Sequence, residues 1–440
     1  MNGNAQQKLE PLTLESKEKY IRKLVELVDK NYVDPEKASK LTAKLEKNLQ
    51  TGLYSDYNDQ MAFFKAIEMH CTDILKDAHF SISHNPELVA EILKSKEQDT
   101  LSTSWTTKAN VKNANYGFEK LQRLKGNIGY VDLRTFYPLR LGAGKIIAHA
   151  LNFFQDTNAL ILDLRKNTGG DADTIQLLIS YFFSEKKGSF KYQSVYWRPT
   201  DEYDHFWTLG YVPGKRLSGI DLYILTSKMT FSGGEELAHN LKHFKRATLI
   251  GETTEGGGHM TDHLVLNDSF VVQMPVGRTV NIVSKTGWER TGVTPHVDVP
   301  SEEALVTAHV IALEKLVKEA ANDEEKYFLE WELLALNSSL KPISVAEKTL
   351  ENFTGNYGDL DFYLENGSLY CRRKEGLPNE LKPLTETVFE ITDRMRFEFV
   401  KDDETGGITC KLMTRDGRIE KIEKNYRQKG GTSNGYRKFH

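Results

Sequence analysis

Residues 226–241, TSKMTFSGGEELAHNL, constrain the fold more than any other stretch of this chain. The apolar run that precedes them, IDLYILTS, reads as a buried strand, and EELAHNL reads as a helix. Ser232, Gly233 and Gly234 lie between the two. A turn of that kind holds the Ser232 hydroxyl exposed and points the first N–H groups of the helix at developing negative charge. That suits a serine nucleophile with part of its oxyanion hole. Taken alone, the string favours a plainer role, with Ser232 as a helix N-cap ahead of a flexible turn.

Other segments change the weighting. ALILDLRKNTGGD at 159–171 is a second apolar strand running into a Gly-Gly turn, with the helical pattern TIQLLISYFF behind it. ATLIGETTEGGGH at 247–259 is a third strand ending in a glycine run, and GWERTGVTPHVDV at 287–299 closes the region. Strands that repeatedly end in glycine turns describe an α/β core with a site built from backbone amides at the strand ends. Any one glycine pair is weak evidence, because turns use glycine for positive φ.

Together and in this order the strings resemble the tail-specific, or C-terminal-processing, serine peptidases. The closer likeness is to the branch that contains the tricorn core and the repeats of interphotoreceptor retinoid-binding protein. It covers roughly residues 70–300. It implies a crotonase-like α/β core, a spiral of ββα units. One branch of the family activates its serine with a lysine in a GxxTxGKG-like turn; here GETTEGGG at 251–258 puts Gly257 at the lysine's place, so a Ser-Lys dyad is not expected. The tricorn-like branch uses an N-terminal histidine and a late glutamate. LKDAHFSI places His79 at that histidine and GWERTGV places Glu289 at that glutamate, while Ala78 stands where the pattern has a serine.

The resemblance therefore implies Ser232 as nucleophile, His79 as general base and Glu289 as the carboxylate that orients the imidazole. Gly233 N–H with a Gly169 or Gly170 N–H would form the oxyanion hole. The His79 ring is expected within hydrogen-bond reach of Ser232 Oγ, with Glu289 on its other side. No metal and no organic cofactor are implied. His84, His239 and His259 compete with His79, and His259 is placed to line the cleft. Glu235 and Glu236 compete with Glu289 but fit as first-turn helix acids. Lys228 and Lys285 are the lysines a dyad would need.

The rest of the chain sorts by texture. Residues 1–85 read as an N-terminal helical domain that contributes the histidine, through LESKEKYIRKLVELVDKNY, DPEKASKLTAKLEKNL and NDQMAFFKAIEMHCTDILKD. Residues 86–115 read as a connecting segment, too short for the PDZ domain many processing peptidases insert there. Residues 116–320 form the peptidase core and 321–344 a helical linker. Residues 345–430, with GSLYCRR, TVFEIT, RFEFVKD and ITCKLMT between glycine-bearing turns, form a small antiparallel β domain.

A formal net charge of −4 gives no electrostatic case for nucleic acid or an anionic membrane. No apolar run approaches the ~20 residues of a membrane-spanning helix. The expected partner is a peptide or protein substrate. None of the three cysteines has metal-ligand spacing; Cys71 reads as a buried thiol, and Cys371 and Cys410 would pair in an exported protein. The polar opening MNGNAQQ, with an Ala5-Gln6 junction of the kind signal cleavage leaves, points to an exported protein whose signal is absent from this chain; a cytosolic protein is the alternative. The rival functions on the same fold are a non-catalytic carrier of apolar ligands and an esterase.

Overall fold

The structure, a computed structural model, describes residues 11–98, 106–401 and 407–425. The Ala5-Gln6 junction and the closing stretch from residue 430 lie outside them. The chain divides into two compact units, Met1–Leu305 and Val306–His440.

Three amphipathic helices open the first unit: α1 (Leu14–Asn31), α2 (Pro35–Gln50) and α3 (Gln60–Leu75). Each starts at a polar N-cap, Thr13, Asp34 and Asp59, whose side chain accepts from first-turn amides, and Pro35 adds a preset φ to α2. At the end of α3, Lys76 adopts the left-handed conformation (φ 50°), which stops the helix and redirects the chain into Asp77 and His79. Strand β1 (Ser81–His84) follows. The expected connecting segment carries two further helices, α4 (Pro86–Gln98) and α5 (Lys108–Asn113). Val89 and Ile92, one turn apart on α4, bury themselves against Val271.

The core alternates strands and helices: β2 (Phe118–Leu124), β3 (Ile128–Leu133), α6 (Ala143–Phe153), β4 (Ala159–Asp163), α7 (Ala172–Tyr181), β5 (Lys191–Trp197), β6 (Glu202–Trp207), β7 (Asp221–Thr226), α8 (Gly233–His243), β8 (Thr248–Gly251), β9 (His259–Val265), β10 (Phe270–Asn281) and β11 (Val297–Asp298). A six-stranded sheet runs β11-β8-β7-β4-β3-β2, parallel except for the β2–β3 pair. Its central strand ALILD is buried at every position, as expected where helices cover both faces. A second, antiparallel sheet is built on β10, which pairs with β9, β1 and β5, with β6 beyond β5.

The N-terminal helices pack on this second sheet. Ile21, Leu24, Val28, Phe63, Phe64 and Ile67 share one core with Phe270, Val272 and Met274 of β10, and the Phe64 and Phe270 ring centroids lie 4.2 Å apart. That contact carries His79 from a helical region to the strand ends of the main sheet. In the second unit, α10 (Asp323–Leu340) and α11 (Glu347–Phe353) precede a four-stranded and a five-stranded antiparallel sheet. α9 (Ala304–Glu319) spans the boundary. The expected strands at GSLYCRR, TVFEIT, RFEFVKD and ITCKLMT all form. Cys371 and Cys410 are both buried there as free thiols rather than a disulfide, and burial pushes both thiol pKa values up.

Candidate active site

The site follows from strand adjacency. β4, β7 and β8 are neighbouring parallel strands, with Asp163 opposite Leu225 and Thr226 opposite Gly251, so the three loops that leave them emerge side by side. Hydrogen bonds zip the first two together: Leu164 N–H to Leu225 O (3.0 Å), Phe231 N–H to Asn167 O (3.0 Å) and Thr230 Oγ1–H to Leu164 O (2.8 Å). The third loop joins through Glu252 N–H to Thr226 O (3.1 Å) and Glu255 N–H to Thr230 O (3.2 Å).

Ser232 sits at the elbow between β7 and α8 with φ 51° and ψ −118°, a conformation that L residues rarely adopt. Such backbone strain costs on the order of 1–3 kcal/mol and persists only where the surroundings enforce it. They do so here through Glu235. Its buried carboxylate accepts from Ser232 N–H (2.8 Å), Gly256 N–H (2.7 Å), Gly257 N–H (2.8 Å) and the Thr254 hydroxyl. Glu235 thus ties the serine elbow to the third glycine loop. Burial still leaves its pKa above the ordinary value, against the opposing pull of those donors.

The Gly169-Gly170 turn lies directly against this elbow. A Cβ on Gly169 would fall 2.9 Å from Ser232 Cβ, and one on Gly233 would fall 3.1 Å from Gly170 N. Both glycines have positive φ, 94° and 137°. Gly169 N–H, one of the two alternatives for the oxyanion hole, is already donated to Asn167 Oδ1 (2.8 Å). Among the described residues Gly170 N–H has no acceptor, and Gly233 N–H is one of the first-turn donors a helix leaves unpaired. The pair of amides available beside Ser232 is therefore Gly170 and Gly233. Asn167, fully buried, also donates from Nδ2 to Leu133 O (2.8 Å) and so fixes both turns.

His79 is 5% exposed, and its ring stacks on Phe231 at 4.5 Å between centroids. Neither ring nitrogen has a hydrogen-bond partner among the described residues. The expected hydrogen bond to Ser232 Oγ is thus not formed in this structure, although both residues line one cleft of about 570 Å³. That cleft is also lined by Gly169, Gly170, Gly233, Gly257, Gly258, His259 and Trp288. Burial drives the His79 pKa down to about 4, with Asp77 pulling up and His259 down.

Glu289 lies close to His79 but is not hydrogen-bonded to it. One oxygen each of Asp77 and Glu289 and one His79 ring nitrogen lie within 4.8 Å of one another. Glu289 Oε2 accepts Gly258 N–H (2.8 Å), and burial raises its pKa. Asp77, which sequence reasoning passed over, has a carboxylate oxygen 4.0 Å from His79 Nδ1. It accepts His79 N–H (3.0 Å), Tyr32 Oη–H (3.1 Å) and a 2.7 Å bond from His259 Nδ1. Burial alone would raise the Asp77 pKa, but the His259 bond and charge outweigh it and hold the carboxyl below its ordinary value.

Gly257 is required where it stands. A Cβ there would lie 2.2 Å from Phe231 Cε2 and 2.7 Å from His79 Cε1. The other competitors disperse. His84 is exposed on β1. His239 is buried against Trp288 and His243, with burial lowering its pKa to about 3. Lys228 is 80% exposed and faces Glu252 at 3.8 Å, and Lys285 is exposed. Glu236, pushed up to about 7 by burial, accepts from Gln193 Nε2 (2.6 Å).

A serine held at a strained elbow beside two free amides, with a neutral histidine in the same cleft, is the equipment of a serine hydrolase. Residues 127–299 match the family model described as Peptidase family S41. The chain is 30% identical over 175 residues to the carboxyl-terminal-processing peptidase 2, chloroplastic, of Arabidopsis thaliana, a match that covers 39% of this chain and 32% of that protein. The chain thus spans about a third of the length of that curated relative. Among solved structures, a photosystem II D1 C-terminal processing protease is 17% identical with a TM-score of 0.46, covering 66% of this chain and 94% of that one. The tricorn protease gives 13% and 0.39, over 73% and 37%. No described helix is long and apolar enough to cross a membrane.

Proposed function

We propose that the protein is a serine peptidase in which Ser232 is the nucleophile and His79 the general base, working without a lysine. The observation that carries this reading is the strained Ser232 elbow flanked by the Gly170 and Gly233 amides, which have no acceptor among the described residues. In the reaction, Ser232 Oγ attacks the scissile carbonyl carbon and its proton passes to His79. The carbonyl oxygen becomes an oxyanion that accepts from Gly170 N–H and Gly233 N–H. The tetrahedral species collapses as His79 returns the proton to the leaving amine, and water then repeats the sequence on the acyl-enzyme. A modest rotation of the Ser232 or His79 side chain completes the hydrogen bond when substrate enters; such bonds are often loose without substrate.

Glu289 and Asp77 both stabilise the imidazolium formed in the first step. The crotonase-like spiral of ββα units and the lack of a PDZ insertion belong to the same reading. The fold of Phe231 and His79 around Gly257 supports the missing dyad, since no side chain fits there. The test is a fluorophosphonate probe with peptide mapping, followed by turnover of a general peptide substrate. The probe should label Ser232. Ser232→Ala should stay folded, lose labelling and lose turnover by roughly 10⁴-fold. Turnover retained in purified Ser232→Ala would overturn the assignment.

A further inference from the structure

We propose that Asp77, His79 and Glu289 form a binding site for a borderline divalent transition-metal ion, with Zn²⁺ as its representative, and that occupancy of this site switches the enzyme off. The regulatory half rests on His79 being the general base; the binding half does not.

Two independent observations carry the site. The first is the clustering of three donor atoms of suitable type, one from each residue, within 4.8 Å of one another. The second is that His79 is buried while both of its ring nitrogens lack any hydrogen-bond partner among the described residues. A buried nitrogen lone pair left unused is costly, and here it lies beside two carboxylates.

Those carboxylates keep capacity to spare. Asp77 Oδ1 accepts only His79 N–H, at 3.0 Å, because His259 and Tyr32 both bond Oδ2. Glu289 uses Oε2 for Gly258 N–H, and Oε1 has no donor among the described residues. His259 and Tyr32 hold the Asp77 carboxylate in place from behind, the kind of supporting contact that orients metal ligands. A four-coordinate zinc places its donors about 3.3 Å apart, so side-chain shifts of roughly 1 Å would close this cluster on an ion.

An imidazole with two carboxylates favours zinc, cobalt or nickel over magnesium and calcium, which take all-oxygen shells. The ion has a route in. His79 faces the same cleft as Ser232, and the Glu289 side chain is 20% exposed. Coordination consumes the His79 lone pair that would otherwise take the Ser232 proton, so the bound enzyme cannot form its nucleophile. Two negative carboxylates and one divalent cation leave the buried cluster neutral, which lowers the cost of burying them together.

The experiment uses tag-free, metal-stripped full-length protein. Co²⁺ is titrated while its visible d–d absorption is followed, and Zn²⁺ is titrated against peptidase turnover. The proposal expects one saturable Co²⁺ site displaced by Zn²⁺, and a loss of turnover that reaches about tenfold when Zn²⁺ stands roughly tenfold above its Kd and reverses with EDTA. Ser232→Ala should bind Co²⁺ like wild type although inactive. Asp77→Asn and Glu289→Gln, each checked for folding, should weaken Co²⁺ by about 10–100-fold.

Absence of the Co²⁺ spectrum in folded wild type would overturn the proposal. So would Co²⁺ affinity that is unchanged in both folded ligand variants. If Co²⁺ binds as expected but no peptidase activity exists, the metal site stands and the peptidase reading fails. If Zn²⁺ binds with full turnover retained, the regulatory half is wrong.

Discussion

Replacing Asp77 by Asn should cost more activity than replacing Glu289 by Gln, although the family resemblance assigns the orienting role to Glu289. In the proposed reaction Ser232 gives its proton to His79, and a positive charge appears on a ring that is 5% exposed. Asp77 Oδ1 lies 4.0 Å from Nδ1, and its side chain is 1% exposed, so water screens the pair poorly. At 4 Å and an effective dielectric of 20, two unit charges attract by about 4 kcal/mol. Losing that attraction in the transition state corresponds to roughly a thousandfold in kcat.

Glu289 sits up to 4.8 Å away with a side chain 20% exposed. Its loss should cost only about ten- to a hundredfold, because solvent shares the screening. The sign on pH is also set. Asp77 raises the His79 pKa, so Asp77→Asn should move the acid limb of kcat/KM below its wild-type position near pH 4. The assay is kcat and kcat/KM on one peptide substrate from about pH 2.5 to 8, with circular dichroism at each pH to confirm folding. A folded Asp77→Asn enzyme within about threefold of wild type, with an unmoved limb, would refute the electrostatic argument.

Three further outcomes are expected. His79 is held neutral with a pKa of about 4, whereas an unfolded chain protonates it near the ordinary imidazole value of 6.5. Its contribution to stability is therefore complete above pH ~6.5 and is lost as pH falls toward 4, by up to about 3 kcal/mol; urea midpoints of wild type and His79→Phe across that window should diverge in slope. Gly257→Ala should lower kcat by roughly a hundredfold by pushing the His79 ring about 1 Å out of place, and an unaffected kcat would show that the ring has room. Asn167→Ala strands Gly169 N–H and Leu133 O in the interior and should destabilise the fold by about 3 kcal/mol in chemical denaturation; a change under ~1 kcal/mol would mean water replaces the amide.

What could be read from the amino acids was whatever repeats locally. Three apolar runs each end in glycine, and because β4, β7 and β8 are parallel neighbours, similar strings along the chain become adjacent loops in space. The elbow at Ser232 and the turn at Gly169-Gly170 were therefore legible, as were the strands of the C-terminal sheets. Helix α4 was missed in spite of a usable signal: Asn85 Oδ1 caps Leu88 N–H at 3.0 Å and Pro86 follows it, a start pattern overlooked in a polar stretch. The second sheet offered less. Its strands HMTDHLV and EYDHFW are mostly intermediate or exposed and mix apolar with polar and charged residues, so no continuous apolar run marks them.

Asp77 marks the limit of local reading. A carboxylate just after a helix looks like a surface acid, and its partners Tyr32 and His259 lie 45 and 182 positions away. Nothing in DAH says that the Asp will be buried; only the packing of α1–α3 on β10 decides it. The same packing decides that His79 loses its solvent, and with it a large part of its basicity. A proposed base weakened in this way needs a buried anion nearby to stabilise the imidazolium in the transition state, and the fold puts Asp77 two residues away. Motif matching names Ser232, His79 and Glu289, but the carboxylate that pulls hardest on the proton affinity of His79, the proposed base, is found by burial and distance. That is why the contrast between Asp77→Asn and Glu289→Gln, rather than the loss of Ser232 alone, separates a site read by analogy from one read by its electrostatics.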